Sequence, residues 1–203
     1  NVQNFVEGSV DFLPLLTAGI LGFLGLELTN ALVGLTLLGN VLVIIACYKI
    51  VYSVTNEKYW ALLSAFVIAL YPNVLWTGGT GFTANLFTGW ALLATYFLFF
   101  TKREHIALVL LATLSLVRTE GVLLSLLLGG VYYGIMPLAL TITNGRWVRY
   151  FTKGLTRFLF IVTPFIVSSV VRGVVYNHPL PIPIVYKNTG FDSSYEFAGM
   201  REF

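Results

Sequence analysis

Six apolar stretches follow one another between Ala31 and Val171, divided by short polar breaks, and this succession restricts the fold more than any other feature. The candidate spans are Ala31–Tyr52, Tyr59–Val74, Thr83–Phe100, His105–Val117, Gly121–Leu140 and Thr156–Val171. About 20 apolar residues in a helix cross the ~30 Å hydrocarbon core of a bilayer. Inside lipid every backbone group must be satisfied within the protein, which leaves helices and closed barrels. Unbroken apolar runs lack the in-out alternation of a porin-like barrel. Only 10% of the residues are charged, where soluble domains carry about 25%, and 57% are hydrophobic. The expected fold is therefore an all-α polytopic membrane protein. Its single domain divides into an outer segment over 1–30, a helical bundle over 31–171 and an outer loop over 172–203.

The stretch before the bundle contains a seventh apolar run, Phe12–Leu26, with Pro14 near its start. Its 15 residues are too few to cross. It is expected to form a short juxtamembrane helix that packs along the edge made by Gly19, Gly22 and Gly25. Gly130 and Gly134 mark a second place where two helices are expected to approach closely. The glycines at 78, 79 and 81 lack the lysine of a phosphate loop and read as a flexible outer turn.

The loop charges orient this bundle. Alternate connections hold Lys49 and Lys58, then Lys102 and Arg103, then Arg146, Arg149, Lys153 and Arg157. These are eight of the twelve basic residues, accompanied by only Glu57 and Glu104. Basic loops stay cytoplasmic, so segments 1–30, 75–82, 118–120 and 172–203 face outward. Aromatic clusters agree: Tyr48, Tyr52, Tyr59 and Trp60, then Phe97 to Phe100, then Trp147, Tyr150 and Phe151 sit at the inner boundary. Tyr71, Trp76 and Phe82 sit at the outer one. The net charge of +3 is distributed as a membrane topology requires and does not point to nucleic acid. Cys47 is the only cysteine, and His105 and His178 are far apart, so no metal-ligand spacing is present.

Against this background, three stretches on the outer side carry chemistry. The first is Arg118-Thr119-Glu120-Gly121, between two apolar runs. A charge at membrane depth costs roughly 2.5–3.5 kcal/mol by insertion scales, so such residues are paired and often functional. The helix before it, His105–Val117, rises roughly 20 Å and stops short of the outer surface. Arg118 is thereby placed in a depression, as a fixed cation suited to phosphate oxygens. Glu120 orients it or accepts a hydrogen bond from a sugar hydroxyl. The plainer alternative is an Arg–Glu pair that only closes the turn. The second stretch runs from Arg172 to Lys187 through Tyr176, His178 and three prolines, which make an extended, stiff backbone. Arg172 and Lys187 are candidates for phosphate, and the alternative is a rigid connector with interfacial aromatics. The third holds Glu7 and Asp11 ahead of the short helix, where Asp11 also suits a helix cap.

In this order the three stretches resemble the GT-C superfamily of membrane glycosyltransferases that use polyprenyl-phosphate sugars, in particular its arabinofuranosyltransferase and mannosyltransferase-like branch. Val6-Glu7-Gly8-Ser9-Val10-Asp11-Phe12-Leu13 is similar to an acidic stretch that precedes a short helix there. Arg118-Thr119-Glu120-Gly121 is similar to an R-P-[DE]-G turn, with Thr119 in place of the proline. Tyr176, Leu180, Pro181 and Lys187 match a later loop, with Ile182 where that loop has asparagine. The resemblance implies an extracytoplasmic, inverting transfer of a sugar from a polyprenyl-phosphate donor to a glycan, lipid or protein acceptor. Arg118, Glu120, Arg172, Tyr176, His178 and Lys187 would bind donor and sugar, and Glu7 and Asp11 would lie at the acceptor side. The main catalytic base, and the ligands of any divalent cation, are expected upstream of Asn1, in a chain read as truncated at both ends. A non-catalytic membrane scaffold or lipid-binding subunit is the alternative reading.

Overall fold

A computed structural model describes residues 12–78, 83–135 and 147–176, and among these every regular element is helical. In order they are α1 (Phe12–Phe23), α2 (Leu28–Thr55), α3 (Lys58–Ala69), α4 (Pro72–Gly78), α5 (Ala84–Phe99), α6 (Glu104–Val117), α7 (Gly121–Gly129), a π-helical segment (Gly130–Ile135) and α8 (Trp147–Tyr176). The chain divides into two units, one over Asp11–Ile166 and one made of Asn1–Val10 with Val167–Phe203.

Two helices are long and apolar enough to cross a membrane: α2, with 28 residues, and the Thr152–Val174 part of α8. The other five expected elements are shorter apolar helices. Their lengths have local causes. The run predicted over Tyr59–Val74 is cut at Leu70–Tyr71, because Pro72 lacks an N–H and starts a new helix at its first position. The run predicted over Gly121–Leu140 changes to π geometry at Gly130, and its last five residues lie outside the described set. The last run begins earlier than Thr156, at Trp147, and Pro164 sits within the helix. Helix α2 ends at Asn56, whose φ of 57° is left-handed and whose N–H donates to the Tyr52 carbonyl.

Helix α1 ends at Phe23, three residues before the end of the expected run, and it packs differently. Gly25, at φ 91°, closes it in a Schellman motif: the Leu26 N–H donates to the Leu21 carbonyl (3.1 Å) and the Gly25 N–H to the Gly22 carbonyl (3.0 Å). The expected glycine edge is open, since a Cβ at Gly19, Gly22 or Gly25 would meet nothing within 4 Å. Pro14 and Ala18 are its buried residues instead. The same correction applies to Gly130 and Gly134, which are equally open.

The close approach lies between α2 and α5. A Cβ on Gly39 would run into the Leu86 backbone, and one on Gly89 would stand 2.9 Å from the Gly39 carbonyl oxygen. Just beyond this crossing, Asn40 donates from Nδ2 to the Val74 carbonyl (2.9 Å), and Asn85 donates to Asn40 Oδ1. One carboxamide thus ties α2 to α4 and α5. Trp90 Nε1 donates to Thr113 Oγ1 (3.0 Å), joining α5 to α6. The apolar core of this unit gathers Ala94, Leu98, Ala107, Leu111, Tyr133 and Ile161. Small residues recur at the buried positions, including Ala18, Ala31, Ala46, Ala61, Ala91 and Ala112. Large apolar side chains such as Phe23, Leu62, Phe66, Trp76, Leu123, Leu127 and Phe160 face outward.

In the second unit the described residues are the last turns of α8. Arg172 and Tyr176 therefore belong to a helix and not to the extended outer loop expected from Arg172 onward. Apolar Val170, Val171, Val174 and Val175 surround Arg172 in sequence and carry the helix past it.

Candidate functional site

Helix α6 is built from 14 residues and rises roughly 21 Å. It ends because Arg118 turns extended, at φ −148°, while its N–H still donates to the Leu114 carbonyl (3.1 Å). The chain then makes one tight turn. The Gly121 N–H donates to the Arg118 carbonyl (2.9 Å) and the Val122 N–H to the Thr119 carbonyl (3.1 Å), which starts α7. Glycine is required at 121, because a Cβ there would press into the Leu114 carbonyl. Ser125 Oγ, one turn on, donates to the Leu111 carbonyl (2.7 Å) and fastens α7 to α6.

This turn brings Arg118 and Glu120 together as the sequence predicts. Arg118 donates from Nε to Oε2 (3.3 Å) and from Nη2 to Oε1 (3.2 Å), a two-pronged pairing that fixes the plane of the guanidinium. The Arg118 side chain is 20% exposed and that of Glu120 57%, so the pair opens outward. Thr119 between them is buried. The arrangement presents a planar cation beside a carboxylate, at the end of a helix too short to cross a bilayer. That combination suits an anionic group carrying hydroxyls.

Arg172 is 3% exposed on α8, in the other unit, so its guanidinium is buried rather than displayed on a loop. Tyr176 is the last residue of the same helix. Glu7, Asp11, His178 and Lys187 lie outside the described residues. Among the described residues no three His, Cys, Asp or Glu side chains gather as ligands for a cation.

Sequence reasoning missed Gly121 as the residue that permits the turn; a glycine directly after a charged break was the available signal. It also missed Asn40, Asn85 and Thr113, single polar residues inside apolar runs, which such scanning treats as noise. Comparisons with protein-family models, with curated proteins and with solved structures give no match for this chain.

Proposed function

We propose that this chain is the core of a polytopic membrane glycosyltransferase of GT-C type that takes its sugar from a polyprenyl-phosphate carrier on the outer face. The observation that carries the reading is the Arg118–Glu120 pair: open, two-pronged, and seated at the end of a 14-residue apolar helix. Charges set into apolar surroundings are retained chiefly for binding or catalysis. A scaffold would be served by a sealed pair, whereas more than half of Glu120 is exposed.

Membrane residence is supported by the inside-out distribution of sizes. Small residues fill the contacts between helices while leucine, phenylalanine and tryptophan face outward. Helices in lipid pack by close approach of small residues, and lipid covers the large ones. In water so many exposed large apolar side chains would be an aggregation liability.

In the transfer, the acceptor hydroxyl oxygen bonds to the anomeric carbon as the bond from that carbon to the carrier phosphate breaks. The hydroxyl proton passes to a carboxylate, and the carrier leaves as a monophosphate. Arg118 balances the charge that develops on that phosphate, and Glu120 holds the guanidinium plane and accepts from a sugar hydroxyl. The test is sugar transfer by the full-length protein, reconstituted with a radiolabelled polyprenyl-phosphate sugar and acceptor. Arg118→Ala is expected to lower kcat/KM by roughly 10²-fold, the cost of removing one preorganised charge-stabilising donor. Absence of both turnover and binding of the lipid phosphate would sink the proposal.

A further inference from the structure

At the opposite end of the bundle, residues unconnected with the Arg118 turn converge from five elements. Arg157 of α8 donates from Nη2 to Glu104 Oε2 of α6 at 2.7 Å. The same guanidinium lies over the ring of Tyr133, 5.1 Å from its centroid. Tyr133 sits in the π-helical segment, edge-on to Tyr132 (5.1 Å), and Tyr132 is edge-on to Phe99 of α5 (5.5 Å). Further along α5, Lys49 of α2 stands over the ring of Tyr96 at 5.9 Å. Two groups of rings therefore form a belt at this end, Tyr133–Tyr132–Phe99 under Arg157 and Tyr96 with Phe97 and Phe100 under Lys49, joined through helix α5. Exposed Lys102, Arg103 and Lys153 border it.

Two features of this belt are unexplained by packing. Tyr133 is 4% exposed, and its buried hydroxyl faces the Glu104 carboxylate, which Arg157 also uses, without reaching good hydrogen-bond geometry with any partner. Buried polar atoms without partners are rare and mark water, ions or ligands. The segment holding it is π-helical, a geometry that recurs at functional sites because it re-aims side chains. Gly154 permits this, since α8 crosses so closely that a Cβ there would stand 2.6 Å from the Tyr133 carbonyl oxygen. Arg157 and Glu104 are each about a third exposed, and among the described residues Glu104 is the one hydrogen-bond acceptor Arg157 meets.

From this juxtaposition we infer that the Arg157–Tyr133 end of the belt is a binding site for the phosphate headgroup of an anionic phospholipid. The phosphodiester oxygens take the Arg157 donors not used by Glu104, and on binding the Tyr133 hydroxyl turns out of its buried position to donate to them. Lys49, Lys102 and Lys153 add charge, and the rings line the boundary where acyl chains begin. Lipid is the source because this end is the basic, aromatic-rich boundary of the apolar bundle, where phospholipid phosphates are at their highest concentration. The inference rests on the membrane placement proposed above and not on the transferase activity.

The experiment is native mass spectrometry of the full chain released from nanodiscs of mixed phosphatidylglycerol and phosphatidylcholine. Selective retention of phosphatidylglycerol is expected. Arg157→Gln should weaken it by at least roughly tenfold, as loss of a charge-assisted contact implies. Tyr133→Phe keeps the ring and the stacking, loses only the hydroxyl, and should weaken retention by a smaller factor. Glu104→Gln releases Arg157 from its ion pair and should hold lipid at least as well as the wild type. It also separates lost binding from lost folding. Lys58→Gln removes a charge from the same boundary away from the rings and should change nothing. Equal retention of both lipids, an effect of Lys58→Gln equal to that of Arg157→Gln, or competition by millimolar inorganic phosphate overturns the lipid site. Alkaline extraction of the protein from membranes would instead remove the placement itself.

Discussion

Gly121 and Leu114 show how much of the Arg118 turn rests on one missing methyl group. Because a Cβ at 121 collides with backbone and not with a flexible side chain, Gly121→Ala must shift α7 relative to α6. The expected loss is roughly 1–3 kcal/mol, the range for overpacking, read as a lower unfolding midpoint in detergent. Gly130→Ala, where a Cβ meets nothing, should leave stability nearly unchanged and serves as the comparison. In sequence the two glycines differ by the charged break before Gly121, but only what lies opposite each shows which of them cannot carry a Cβ. Arg118 and Glu120 were readable, because two charges between apolar runs stand out in any composition. Their two-pronged geometry was not, since it depends on Arg118 leaving the helix at an extended φ.

Among the elements, α4 is the shortest α-helix. It has seven residues, too few for independent helical stability. The Val74 carbonyl ties it to α2 by accepting from Asn40. Asn40→Leu keeps the volume and apolar character suited to α2 but removes that donor and the acceptor used by Asn85. We expect a loss of about 1–2 kcal/mol, the scale of a hydrogen bond between helices in lipid, with faster hydrogen–deuterium exchange confined to α4. Unchanged exchange there would show that side-chain packing alone seats the helix. Helix boundaries were readable where chemistry changes abruptly, as at Val117 before Arg118 and at Tyr71 before Pro72. They were not readable for α8, because Arg149 and Lys153 end an apolar run without ending a helix; both are good helix formers.

At the scale of the molecule, the proposed topology puts Glu120 and Lys102 on opposite sides of the membrane. With Cys47 replaced by alanine, Glu120→Cys in intact cells or sealed vesicles should react with a membrane-impermeant maleimide. Lys102→Cys should react only after permeabilisation. The reverse pattern would invert the orientation drawn from the loop charges. Resistance to alkaline extraction is expected as well, given α2 and the long apolar portion of α8.

By itself, the sequence determined that the chain is helical and apolar, where most helices begin and end, and that Arg118 and Glu120 share one turn. These follow from local chemistry: hydrophobic runs, prolines, a glycine and charge breaks act over a few residues. Only the tertiary structure decided which glycines touch another helix, which rings take a cation, and that Arg172 is buried within a helix. Those outcomes depend on residues far apart in the chain, as with Gly39 beside Leu86, 47 positions on, and Glu104 beside Arg157, 53 positions on. The Arg118 turn belongs to both kinds. Its charges are local, but its openness and its fixed plane come from how α6 and α7 pack.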